Sequence, residues 1–272
     1  MSAPRVFDQK HYDSLNSSRA MVVSALLAEL KEPLGLKTAL DVGCGLGYFS
    51  GLLRSLGLEV TAVDGRPENV EEAARRHSGV TFHTYNAENP AIRTLGKFDL
   101  VFCFGLLYHL ENPLLAIRHL QAMTERLLLL EAVVFPGDEP VMALIDEEST
   151  EDQGLAHFAF YPTEACLEKM LYRAGFASVY RFTRMPDHSE YRSGTNMRKI
   201  RTMLAASPTL IASKFLLPVG EPRTTIHPWD PASFIARTNT LGKLKRFVGK
   251  PLPQKVESMK RFIRRNDHLK HH

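Results

Sequence analysis

The run Asp41-Val42-Gly43-Cys44-Gly45-Leu46-Gly47-Tyr48-Phe49 joins an apolar segment to a helical one through three glycines. Glycines there let the chain turn sharply and bring backbone N–H groups close to a ligand. A second apolar segment, about twenty residues on, ends in Val63-Asp64; a carboxylate at such a position accepts hydrogen bonds from ribose hydroxyls. The pair points to a nucleoside-bearing ligand. A dinucleotide loop would put its last glycine at position 48, which is Tyr48. Asp41, just before the loop, suits a cationic amino group and repels a pyrophosphate. His109 follows a further apolar segment, and a neutral imidazole near pH 7 accepts a hydroxyl or amine proton. Packing under the next helix is the equal alternative for His109. Tyr108 beside it either lines the acceptor pocket or packs.

Alternating strands and helices must position these residues. The pattern predicts a helix over 14–30, with a Ser/Asn cluster able to cap it and Pro33 and Gly35 ending it. Strands are expected at 38–42, 59–63, 80–85, 98–104 and 126–135. Helices are expected from the glycine turn to about Leu56, over 67–77, and from Asn112-Pro113, with Asn as cap, to about Met123. The acidic stretch 136–155 reads as a solvated loop, with an acceptor lid as the sharper alternative. A helix opens at Pro162-Thr163 and closes at Ala174-Gly175, followed by strands at 176–183 and 199–206. Seven strands alternating with helices mean an α/β fold around a mostly parallel sheet. In such sheets ligands sit beyond the carboxyl ends of the strands. Residues 208–240, which hold the single tryptophan Trp229, resist assignment. The segments divide as 1–35 (N-terminal helical), 36–207 (central domain) and 208–272 (C-terminal extension).

Composition sets the outer bounds. With 272 residues, 44% hydrophobic and 24% charged, the chain is an ordinary globular one rather than disordered or collagen-like. Three scattered cysteines exclude a disulfide framework and a thiolate zinc site. The carboxylates and histidine of 146–157 have no metal-ligand spacing, so no metal is expected. No long apolar run suggests a spanning helix, and the first fifteen residues do not read as a signal peptide, so a cytoplasmic location is expected. The net charge is +4, but residues 241–272 hold ten basic and two acidic residues, leaving the body mildly acidic.

ALDVGCGLGYFS resembles the first motif of the class I S-adenosylmethionine (SAM)-dependent methyltransferases. The AVD ending at Asp64 is similar to their second motif, YNAENP (85–90) to their adenine motif and FDLVFCFGLLYHL (98–110) to their fourth-strand motif. The resemblance implies a Rossmann-like doubly wound sheet, with an antiparallel strand near its C-terminal end. It implies SAM as cofactor, whose ammonium and sulfonium agree with Asp41. On this reading Asp41 faces the methionine amino group, and Gly43, Cys44, Gly45 and Gly47 line the methionine and ribose. Asp64, with Gly65, takes the ribose hydroxyls. Asn86 and Ala87 read the adenine edge, and Phe104 and Gly105 pass close to the sulfonium. Glu88 and Asn89 read as a solvated turn. The catalytic candidates are His109, as base, and Tyr108.

The acceptor is less legible. Residues 98–182, with LLYHLENP and FAFYPTEACLEKMLYRAGF, resemble the tRNA wobble-uridine carboxymethyltransferases. Leu110-Glu111 stands where that family has basic residues. A small-molecule or glycan-like polar acceptor, methylated on O or N, is favoured over tRNA. A non-catalytic SAM-binding protein is a further alternative. The tail segment VESMKRFIRR is amphipathic and basic. Three readings stay open for it: an anionic membrane surface, RNA phosphates, or a helix packed on the domain. The oligomeric state is not legible.

Overall fold

The structure, a computed structural model, describes residues 5–148, 150, 152–191 and 200–224. The basic tail and Trp229 lie outside them. A short 3-10 turn, Val6–Asp8, leads into α1 (Lys10–Leu34). Leu15, Val23, Leu26, Leu27 and Leu30 recur at helical spacing and are buried. The helix starts four residues before the position expected, so the Ser/Asn cluster lies inside it. Ser18 Oγ donates back to Leu15 O at 2.7 Å. Pro33 falls within the last turn, and Gly35 ends the helix at φ 63° as Leu36 N reaches Lys31 O (2.9 Å).

The elements then alternate: β1 (Thr38–Val42), α2 (Tyr48–Ser55), β2 (Glu59–Asp64), α3 (Pro67–Arg76), β3 (Thr81–Thr84), β4 (Phe98–Phe104), α4 (Pro113–Met123) and β5 (Thr124–Val134). A two-stranded antiparallel sheet, β6 (Met142–Asp146) with β7 (Phe158–Pro162), interrupts the rhythm. The chain continues through α5 (Glu164–Ala174), β8 (Ser178–Phe182), β9 (Ile200–Ser207) and β10 (Leu216–Val219). Thr163 caps α5, its Oγ1 accepting from Cys166 N at 3.1 Å. Asn112 does not cap α4 with its side chain. Its backbone N donates instead to Glu88 Oε1 at 2.6 Å.

The main sheet has eight strands in the order β10-β8-β9-β5-β4-β1-β2-β3. The count of seven is thus corrected. The added strand, LLPV, comes from the stretch left unassigned, because it is short, carries a proline and lies at the sheet edge, where a missing N–H is tolerated. β1 to β5 pair in parallel, while β9 pairs antiparallel with β5 and β8, and β10 antiparallel with β8. The acidic stretch is corrected too: it contains β6. Both faces of the sheet are covered. Leu40, Val42, Val101 and Leu128 pack with residues of α4 and α5. Ala39, Leu100, Phe102 and Leu129 pack with residues of α1 and α2. Among the described residues no helix is long and apolar enough to cross a membrane. Strand order reverses between β1 and β4, which places a crevice at their carboxyl ends.

Candidate active site

A cavity of about 1410 Å³ occupies that crevice. Its first half is built on the glycine loop. Gly43 and Gly47 adopt φ of 76° and 84°. A Cβ at Gly43 would come within 2.8 Å of Leu106, and one at Gly47 within 2.6 Å of the His77 ring. Only glycine meets both demands. Asp64 ties the loop to β2: one carboxylate oxygen accepts from Gly45 N (2.9 Å), the other from Arg66 N (2.9 Å) and Asn69 Nδ2 (3.1 Å). Cys44, Gly65, Asn86, Ala87 and Phe104 line the same half, and burial pushes the Cys44 thiol well up. Asn86 Oδ1 accepts from Glu88 N at 2.9 Å, which shapes its own loop. The leading segment crosses this half. The Phe7 ring lies 3.9 Å from where a Gly45 Cβ would stand, Asp8 pairs with both terminal nitrogens of Arg76, and Arg5 reaches Asn69 Oδ1 (2.8 Å).

The second half is walled by α1, the end of β4 and residues 152–156. Gly105 N donates to Glu131 O at 3.1 Å, and a Cβ on Gly105 would lie 3.9 Å from both Glu131 Oε2 and Tyr108 Oη. Around that point sits a buried polar cluster. Glu131 Oε1 accepts from Arg19 Nη2 (3.0 Å), Tyr191 Oη (3.1 Å) and Arg201 Nη1 (3.1 Å). Arg201 Nη1 also donates to Tyr108 Oη (3.2 Å), and its Nε to Glu190. Burial would raise the Glu131 carboxyl, but the two guanidiniums hold it below its ordinary range. Arg19, Arg201, Tyr108 and His109 all line the cavity. Burial pushes the Tyr108 hydroxyl up. His109 Nδ1 lies 2.8 Å from Glu147 Oε2.

Of the residues singled out from the sequence, Gly43, Cys44, Gly45, Asp64, Gly65, Asn86, Ala87, Phe104, Gly105, Tyr108 and His109 line one cavity. Gly47 stands at the N-terminus of α2 and shapes the loop. Asp41 is not among the lining residues. It lies under the loop, 2% exposed, accepting from Ser50 Oγ at 2.6 Å, and burial pushes its carboxyl up to about 7. Glu88 is no solvated turn: its carboxylate takes the backbone N–H groups of Asn112 and Glu111. The acidic stretch likewise contributes Glu147 to His109, and Asp152 to Tyr12 Oη at 2.6 Å. Sequence reasoning missed Arg19, Glu131 and Arg201. The only available hint was a charged side chain inside an otherwise apolar strand or helix face, as in LLLLEAVV.

Residues 16–180 match the family described as methyltransferase domain. The chain belongs to that family and is a class I methyltransferase, the class that uses SAM as methyl donor. The ubiquinone biosynthesis O-methyltransferase of Xanthomonas axonopodis pv. citri (strain 306) is 40% identical over 115 residues, 40% of this chain and 46% of that enzyme. That of Xanthomonas campestris pv. campestris (strain B100) is 38% identical over the same length. The chain thus matches less than half the length of these curated relatives. Among solved structures, the N-terminal domain of EvdMO1 with SAH bound superposes with a TM-score of 0.57 at 21% identity, covering 71% of this chain and 80% of that one. Magnesium protoporphyrin IX methyltransferase (ChlM) from Synechocystis PCC 6803 with bound SAM gives 0.51 at 21% identity, over 76% and 87%. These likenesses establish the fold. The residues present fit an adenosyl cofactor: a glycine backbone, a carboxylate at the end of β2 and the apolar Ala87 and Phe104.

Proposed function

We propose that the protein transfers a methyl group to an oxygen or nitrogen of a small-molecule or glycan-like polar acceptor. SAM supplies a methyl group already activated by its sulfonium. Asp64, Gly43, Gly45, Gly65, Asn86, Ala87, Phe104 and Gly105 would hold that cofactor, with Asp41 supporting the loop from beneath. The chain's own task is then to align the acceptor, exclude water and remove a proton where the acceptor carries one. His109 would accept that proton. Tyr108 and Arg201 would orient the acceptor from the polar floor. Among the described residues Arg201 Nη2 has no hydrogen-bond partner, and Arg201 fronts the cavity.

The observation that carries the reading is the continuity of one cavity from the glycine loop to His109. The O-methyltransferase names of the relatives agree with a hydroxyl acceptor. The cavity wall mixes acids (Asp13, Glu111, Asp152) with bases (Lys10, Arg66, Arg201), a lining that suits a small polar acceptor better than a run of phosphates. The test is labelled methyl transfer from SAM into small-molecule and tRNA fractions. His109→Ala should slow transfer on the order of a hundredfold while leaving S-adenosylhomocysteine affinity nearly unchanged by calorimetry. Equal loss of both would remove the base role.

A further inference from the structure

We propose that Glu147 is the positioning residue for His109, and that it links the histidine's tautomer to the seating of residues 152–157 over the cavity. This rests on the reading of His109 as base. One carboxylate oxygen, Glu147 Oε2, faces both His109 Nδ1 (2.8 Å) and Gly154 N (3.1 Å). The Glu147 side chain is only 3% exposed. An ionised carboxylate can only accept, so its contact with His109 demands the Nδ1–H tautomer. In the neutral ring Nε2 then keeps its lone pair, the form a proton acceptor needs.

The loop supplies the second half of the argument. A Cβ on Gly154 would stand 2.8 Å from His109 O and 3.1 Å from His109 Cβ, so backbone packs directly on the histidine. The same segment is fastened from two other sides. Tyr12 Oη donates to Asp152 Oδ2 (2.6 Å), and Arg66 Nη2 donates to Gln153 O (3.0 Å). Its far end is closed by Glu147 N donating to His157 O (3.0 Å), with His157 at φ 58°, a conformation rare for a residue other than glycine. Lifting this segment from the cavity would take the Gly154 N–H away from the carboxylate that fixes the imidazole. Glu147 therefore connects the loop and the histidine, while Asp152 ties the same loop to α1.

The experiment uses the full chain labelled with 15N at histidine, His109 being assigned by difference against His109→Gln. Imidazole nitrogen shifts should show an Nδ1-protonated, Nε2-unprotonated ring. Glu147→Ala should move the ring toward the Nε2–H form preferred by free imidazole. It should slow labelled methyl transfer about tenfold or more, with S-adenosylhomocysteine affinity unchanged. Glu147→Gln keeps an acceptor oxygen and should retain most of both signals. In a His109→Ala background, Glu147→Ala should cost nothing further in turnover. An unaltered tautomer in Glu147→Ala, or additive losses in the double variant, would overturn the proposal. If His109→Ala leaves transfer intact while the tautomer still responds to Glu147, it is the base assignment that falls.

Discussion

The two halves of the cavity are constructed from different material. Around the glycine loop the ligand-facing surface is mostly main chain, held by left-handed glycines and by one carboxylate, Asp64, that gathers three N–H donors. Around Gly105 the surface is side chain, held by charges buried behind it: Arg19 and Arg201 against Glu131. In the first half the glycine loop and its tether Asp64 fall within one βαβ unit. The second joins α1, β5 and β9, elements far apart in the sequence. A backbone cradle tolerates side-chain changes around it but no Cβ at its hinges. A charge-built floor tolerates no loss of a partner.

The sharpest way to break that contrast is to remove one buried charge. Arg19→Ala leaves the buried Glu131 with fewer partners, and should destabilise the fold by about 3–5 kcal/mol. Urea unfolding measures it, and a loss below about 1 kcal/mol would mean that the cluster is not the brace described.

A gentler intervention probes the acid beneath the loop. Burial pushes the Asp41 carboxyl up to about 7, against an ordinary 3.8. Between those values the folded state holds a proton that the unfolded state has released. The stabilisation is complete at acid pH and is lost as pH rises through about 7. Wild-type stability should therefore fall by on the order of a few kcal/mol between pH 5 and pH 8, relative to Asp41→Asn. Parallel pH profiles for the two proteins would count against a buried, protonated Asp41.

The smallest effect belongs to the loop tether. Asp64→Asn keeps an acceptor oxygen but loses the charge shared by three donors. S-adenosylhomocysteine affinity should fall about thirty- to a hundredfold, while the thermal midpoint drops by only a few degrees for the N–H donor left without an acceptor. A comparable fall in stability would show that Asp64 braces the fold rather than the site.

The same division explains what could be read in advance. β1 and β4 were legible residue for residue, because a short apolar run ending at glycine has one plausible structure in an alternating chain. The glycine loop and Asp64 were legible as residues that would face one another, because their pattern is local, and Asn86 and Ala87 through the family motif; the structure brings them to one cavity. Arg19, Glu131 and Arg201 were not: each is a charge whose partner lies 70 or 112 residues away, and no spacing rule connects them. Glu147 was hidden among neighbouring acids, where only the fold distinguishes a buried carboxylate from a solvated one. β6 escaped for a related reason, since most of its residues are exposed and its flanks are acidic. β10 offered four residues and a proline.

The segment before α1 crosses the glycine loop, with Phe7 over Gly45 and Asp8 clasping Arg76. On the proposed reading, exchange of spent donor for fresh parts that strap, which is tied by the two-pronged Asp8–Arg76 pair and by Arg5 on Asn69, partly exposed contacts that weaken in salt. The doorway is thus latched by charge, and added salt should ease it. A fusion joined ahead of Arg5 would load that latch directly.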